Sequence, residues 1–158
     1  MKKFLLFAVF IGFRMRCLSN DSLSVCSPSG RICVKLWMEG NLNYRIYENG
    51  VSILDPSEIG MVLKDKGNIF LNNHTVSHSI KKVSNQIISP VPEKRRRIAD
   101  NYNLLEITFR KACKIEFRVY DDGVAYRFLT SFRDSITISK EIAVFHFARQ
   151  SNVYFPGI

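Results

Sequence analysis

Glu116, Arg118, Asp121, Asp122 and Arg127 crowd into residues 114–128, "KIEFRVYDDGVAYRF". Carboxyl groups this close suggest general acid and base work, which needs two of them to face each other across a cleft. Asp121 and Asp122 are adjacent rather than opposed, and Gly123 follows them. Asp tolerates left-handed backbone and Gly takes positive φ without a steric cost, so "DDG" reads as a reversal between two strands. Glu116, Arg118 and Arg127 then belong to the wet face of a hairpin, where cross-strand ion pairs each contribute a few tenths to ~1 kcal/mol. No catalytic residue is assigned here.

Other groups offer different chemistry. His74 and His78, in "HTVSH", have the i, i+4 spacing that sets two imidazoles on one helical face for zinc. Their neighbours Asn72, Asn73, Ser77 and Ser79 indicate loop or strand, no glutamate lies between them, and no metal ligand or cofactor-binding residue is assigned. Asn73 in "NHT" also has the form of a glycosylation acceptor. The run Lys94, Arg95, Arg96 and Arg97 carries charge that would attract phosphate, but without a basic stripe or stacking aromatics it reads as a solvated loop, not a nucleic-acid site. Trp37, Tyr44 and Tyr47 would serve as sugar-stacking platforms if exposed; on strands they are expected in the core.

The elements that must position these groups are strands. "ICVKLWM" alternates, Gly40 and Asn41 break it, and "LNYRIYENG" alternates again and ends in Asn49-Gly50, a hairpin signal. "VSILDPSEIGMVL" starts as a strand, turns at "DPSE" and resumes. Residues 64–88 are polar and weakly patterned, with short strands expected around Ile69 and Val83. "SPVPEKRRRIADNY" is expected to be a loop because Pro90 and Pro92 disfavour regular strand. After it, "LLEITFR", "CKIEFRVYDDG", "VAYRFLT", "SITISKEIAVFHF" and "NVYFPGI" follow without a long amphipathic helix. That succession predicts an all-β, antiparallel β-sandwich.

At 158 residues with 46% hydrophobic side chains, the chain can bury the core of one domain. Lys2, Lys3, Arg14 and Arg16 contribute to the net charge of +9, and residues 20–158 hold 19 basic against 14 acidic side chains. "MKK" before the apolar "FLLFAVFIGF" reads as a secretory signal over residues 1–19, too short for an ordinary membrane-spanning helix. Cleavage before Asn20 fits Cys17 and Ser19; acylation of Cys17 is disfavoured by Met15 and Arg16. No other stretch is long and apolar enough to span a membrane as a helix. With Cys17 in the signal, Cys26, Cys33 and Cys113 remain, an odd number. Cys26 and Cys33 flank the turn-rich "SPSGRI", which would bring them across a hairpin; the favoured reading is that both are small apolar strand residues.

The order and spacing of "SPSGRI", "ENGVSILDPSEIGMVL", "DNYNLLEITF" and "KIEFRVYDDGVAYRF" resemble the N-terminal domain of glycoside hydrolase family 97, from about Val25 to the last residue. The resemblance implies a galactose-mutarotase-like super-sandwich over residues 20–158 that precedes a (β/α)₈ catalytic barrel. It also implies hydrolysis of α-glucosidic or α-galactosidic bonds, calcium at the active site of the full-length enzyme, and a periplasmic or bacterial cell-surface location. Nothing barrel-like follows Ile158, so the chain is expected to be truncated and inactive alone, with its catalytic barrel the missing partner in cis. "NVYFPGI" resembles the segment just before a calcium-liganding glutamate of the family, and Glu141 lies upstream of that place and takes no such role. Tyr102 and Asn103 match the family's Tyr-Asn pair, while Leu104 and Leu105 stand where a glutamate commonly follows. Two other readings remain: a stand-alone carbohydrate-binding module, which needs exposed aromatics on one sheet face, and a basic protein that binds polyanions with steep salt dependence. A sandwich ending here is expected to expose an edge and to self-associate.

Overall fold

The computed structural model describes residues 22–91, 96–148, 152 and 154. The proposed signal, Cys17, Lys94 and Arg95, and most of "NVYFPGI" lie outside them. Among the described residues there is no helix, and hence no helix long enough to cross a membrane.

Two antiparallel sheets face each other. The first orders β1 (Leu23–Cys26), β2 (Ile32–Glu39), β3 (Asn41–Glu48), β4 (Val51–Leu63) and β10 (Ile138–Ala143), with β5 (Gly67–Asn68) and β11 (His146–Phe147) also on β4. The second orders β6 (Thr75–Ile88), β7 (Arg97–Phe109), β8 (Cys113–Val119) and β9 (Val124–Thr130). Period-two alternation decides the faces. Val34, Leu36, Tyr44 and Ile59 point inward from the first sheet to meet Leu105, Ile107, Ile115, Phe117 and Val119 from the second. Phe70 closes one side of this core, 5.3 Å from the Phe109 ring and 5.2 Å from the Phe128 ring.

The Asn49-Gly50 hairpin is as expected: Glu48 pairs with Val51, and the two turn residues have φ of 48° and 81°. Such primed turns need positive φ at both central positions, which Asn and Gly supply.

Four expectations are corrected. "DPSE" is not a turn, for β4 runs unbroken through it. The register against β3 slips between Tyr44 and Ile46 and again between Ile46 and Tyr47, so bulges absorb Pro56, which cannot donate to a ladder. Residues 75–88 form one long strand, not fragments, and the loop after it is shorter than expected because β7 starts at Arg97. Strand β6 lies outside the overlap of the two sheets and is exposed along both faces, so it has no alternation to read. Cys26 and Cys33 are not separate apolar residues: they are disulfide-bonded, because pairing of β1 with β2 sets them directly opposite, with Cα atoms 4.0 Å apart. Cys113 is a free thiol buried in the core, pushed up to about 11 chiefly by burial.

Candidate functional site

Strands β8 and β9 carry the charged cluster of "KIEFRVYDDGVAYRF". Ile115, Phe117 and Val119 face the core, and Glu116 and Arg118 face outward, each opposite a β9 residue: Arg127 and Ala125. The Arg127 Nε donates to Glu116 Oε2 at 2.6 Å, the expected cross-strand pair. Arg118 departs from expectation: its guanidinium lies over the Tyr102 ring, 4.9 Å from the centroid, rather than on a carboxylate. The neighbouring Tyr120 hydroxyl donates to Asp100 at 3.0 Å.

Glu106 was not legible as a partner of this cluster. Pairing of β7 with β8 sets it directly opposite Glu116, so the outer face does hold two carboxylates across adjacent strands. Its position on the same parity as Leu104 and Thr108 was the available signal. Each carboxylate already has a cation, Lys114 at 3.5 Å from Glu106 and Arg127 on Glu116. Both sit on a sheet face, where nothing flanks a bond from two sides, so the geometry suits ion pairing more than acid and base catalysis. Glu116 is nearly buried while Arg127 is more than half exposed. Arg127→Ala would strand a charged carboxylate with little solvent and is expected to destabilise by about 1–2 kcal/mol, after discounting for the exposed partner. A urea titration measures this directly; an unchanged midpoint would show the pair to be incidental.

Asp121 and Asp122 lie in the β8–β9 reversal, where Tyr120 N–H donates to Gly123 O at 2.8 Å. The backbone reason given above for "DDG" is corrected, since positive φ is found at neither aspartate nor at Gly123. Asp121 instead accepts from Ser29, at 2.6 Å from its hydroxyl and 2.9 Å from its backbone N–H. Two stretches far apart in sequence, "SPSGRI" and "YDDG", therefore meet as one latch. The Ser29 hydroxyl, then the Ser29 N–H, hold the Asp121 carboxyl below the usual carboxylate range. A lowered folded-state value means stability that is present above the unfolded value and lost as pH falls through the folded one. Asp121→Asn is therefore expected to lower Tm at neutral pH, the gap to the parent closing as pH falls through the lowered folded-state value. A gap constant with pH would show that the charge does nothing.

The remaining candidates separate. His74 precedes β6 and His78 lies within it; four residues of strand span about 13 Å, too far for one metal. Among the described residues no three His, Cys, Asp or Glu side chains come together as a metal site. Asn73 is buried, and the amide nitrogen that glycosylation would modify donates to Ile69 O at 2.8 Å. Asn103 uses its amide to tie β7 to Cys26 O of the other sheet at 2.7 Å, while Tyr102 packs beside Tyr120 within its own sheet, so only the Asn of the Tyr-Asn pair joins the two sheets. Arg96 and Arg97 are exposed, as a solvated run would be. Glu141 is exposed on β10, opposite Met61.

Of the three aromatics expected in the core, only Tyr44 is there. Trp37 and Tyr47 are half-buried on the outer face of the first sheet, a correction with a simple cause: they share the parity of Lys35 and Arg45, opposite to Leu36 and Ile46. With Ser22, Lys35, Arg45 and Pro56 they line a groove of about 280 Å³.

A second, apolar cavity of about 540 Å³ opens where β4 and β11 overhang β9, among Tyr44, Ile53, Val124, Tyr126, Phe145 and Phe147. Phe145 and Phe147 stack with centroids 6.4 Å apart, and both are about half exposed. Strand β9 is the last of its sheet among the described residues, so its outer backbone groups lack a ladder partner beside this apolar surface. Such edges promote pairing between molecules. Self-association of the purified chain is expected in light scattering at tens of micromolar and above, and a monodisperse monomer would contradict it.

The family model described as Glycosyl-hydrolase 97 N-terminal matches residues 25–157. A retaining alpha-galactosidase of Bacteroides thetaiotaomicron is 29% identical over all of this chain, which spans 24% of that protein's length. A glycoside hydrolase family 97 enzyme from Pseudoalteromonas sp. strain K8, solved with panose, superposes with a TM-score of 0.72 at 20% identity, over 80% of this chain and 20% of the other. A beta-arabinopyranosidase superposes with a TM-score of 0.69 at 22% identity, over 81% of this chain and 22% of the other. At these identities the structural likeness shows the fold.

Proposed function

Because the chain belongs to glycoside hydrolase family 97 through its N-terminal domain, we propose that it serves as the non-catalytic sandwich beside a (β/α)₈ barrel that hydrolyses α-glucosidic or α-galactosidic bonds. The observation that carries this reading is the family match across residues 25–157 on a chain whose described residues are all strand, loop and turn. The closure of Glu116 and Glu106 by their own cations supports it, since a working carboxyl pair faces substrate. Calcium, which takes six to eight oxygen ligands, does not fit the described residues, which gather no acidic cluster. In this proposal its ligands come from elsewhere.

Delivery to the periplasm or the cell surface follows, within the same proposal, from the basic and apolar start of the chain. The disulfide between Cys26 and Cys33 supports an oxidising compartment. The proposal is tested by the nucleotide sequence beyond codon 158. A frame that continues into repeated strand and helix units, with acidic residues at strand ends, is the expected result; unrelated sequence after a stop would overturn it.

The outward-facing, partly buried Trp37 and Tyr47 favour a second reading, in which the sandwich itself contacts carbohydrate.

A further inference from the structure

We propose that the outer face of the first sheet binds an anionic sugar, such as a uronate residue, stacked on Trp37 with its acidic group between Lys35 and Arg45. This deepens the carbohydrate-contact reading by naming the ligand class, and it rests on that reading.

The register of the sheet builds the site. Lys35 lies directly opposite Arg45, and Trp37 opposite Asn43, across β2 and β3. Two cations directly opposite each other destabilise a sheet unless an anion lies between or beside them. Asp55 answers only part of this need, at 3.7 Å from Arg45 Nη2, and among the described residues Lys35 has no ion-pair partner. The Arg45 Nε is buried and makes no hydrogen bond, while its Nη1 donates to the Tyr47 hydroxyl at 3.4 Å. That hydroxyl keeps its own proton for a ligand. The polar side chains lining the groove are Ser22, Lys35, Arg45 and Tyr47, all of them donors, and no carboxylate lines it.

Aromatic side chains supply the apolar platform that the C–H face of a pyranose ring needs. Trp37 is held by its own hydrogen bond, Nε1 to Glu39 Oε2 at 3.2 Å, so its ring is oriented before any ligand arrives. The groove, at about 280 Å³, is close to the small end of ligand sites, suited to one ring and its substituents. A nucleic acid fits less well. Glu39, Asp55 and Glu58 stand on the same face around the groove and would repel a chain of phosphates more than a ligand with a single acidic group.

Trp37 is the only tryptophan in the chain, so its fluorescence reports on this groove alone. The test titrates the full chain with a galacturonic acid trimer, with maltotriose as the neutral control and a thymidine oligonucleotide as the polyphosphate control. A saturable change with the acidic trimer is expected, about tenfold weaker in Lys35→Met, the effect of losing one charge-assisted hydrogen bond. Addition of salt should weaken it further. Because Lys35 is exposed, its variant should keep the fold, and an unchanged Tm verifies that. Equal affinity for maltotriose would overturn the assignment of an anionic ligand while sparing carbohydrate contact. Silence toward both saccharides would overturn both, and tighter binding of the oligonucleotide would replace them with polyanion binding.

Discussion

Phe117→Ala should lower the unfolding free energy by about 3–5 kcal/mol, the usual cost of emptying a buried aromatic site. Phe117 has no exposed surface and lies at the centre of the contact between sheets, 6.1 Å from the Tyr44 ring and 5.7 Å from the Tyr126 ring. The Tyr44 hydroxyl donates to Val144 O at 3.3 Å, which holds that ring away from the vacated space. Relaxation on the Tyr44 side is thereby restricted, which keeps the cost within this range. Because small domains have only ~5–15 kcal/mol in total, the variant should be partly unfolded or strongly shifted in urea. Tyr126→Phe, which keeps the ring and removes only a hydroxyl, is expected to stay close to the parent. If Phe117→Ala moved the midpoint no more than that control does, the two sheets would not share the core described here.

Reduction of the disulfide between Cys26 and Cys33 is expected to cost about 2 kcal/mol. Its two ends are only seven residues apart, so the closure entropy removed from the unfolded chain is at the modest end for disulfides. The local consequence is larger than the number suggests. Strand β1 is only four residues long and is an edge of its sheet, and the disulfide fixes it to β2 at the pair adjoining the Ser27–Ile32 turn contact. The same pairing sets Ser24 opposite Lys35, beside the Trp37 groove. Cys26→Ser with Cys33→Ser should lower Tm and raise hydrogen exchange in β1, leaving β7 and β8 protected. Insensitivity of the unfolding midpoint to reductant would mean that β1 is held by its ladder alone.

What could be read in the sequence depended on whether an element has one wet face and one dry face. Strand β8 does, and "KIEFRV" showed its inward and outward sets correctly, together with the pairing of Glu116 to Arg127 across to β9. Asn49-Gly50 was equally legible, because that turn depends on two residue types and little else. Strand β6 was not, since exposure on both faces removes the alternation that marks a strand. Long-range register was hidden too. Nothing local in "SPSGRI" announces that Ser29 meets Asp121, or in "LLEITF" that Glu106 meets Glu116. For Trp37 and Tyr47 the signal was present but overruled. Their parity with Lys35 and Arg45 placed them outward, whereas the general tendency of aromatics to be buried pointed inward. A residue type is a weaker guide to its face than the residues two positions away.

The measurement that bears most directly on the central claim is turnover by the purified chain itself. It would be incubated with p-nitrophenyl α-glucoside and p-nitrophenyl α-galactoside, with and without calcium, beside a Glu116→Gln variant. The expected result is release of nitrophenol no faster than in buffer, no effect of calcium on rate or Tm, and no difference between parent and variant. Hydrolysis by the parent that disappears in Glu116→Gln would contradict the assignment, and would make the paired carboxylates of β7 and β8 an active site.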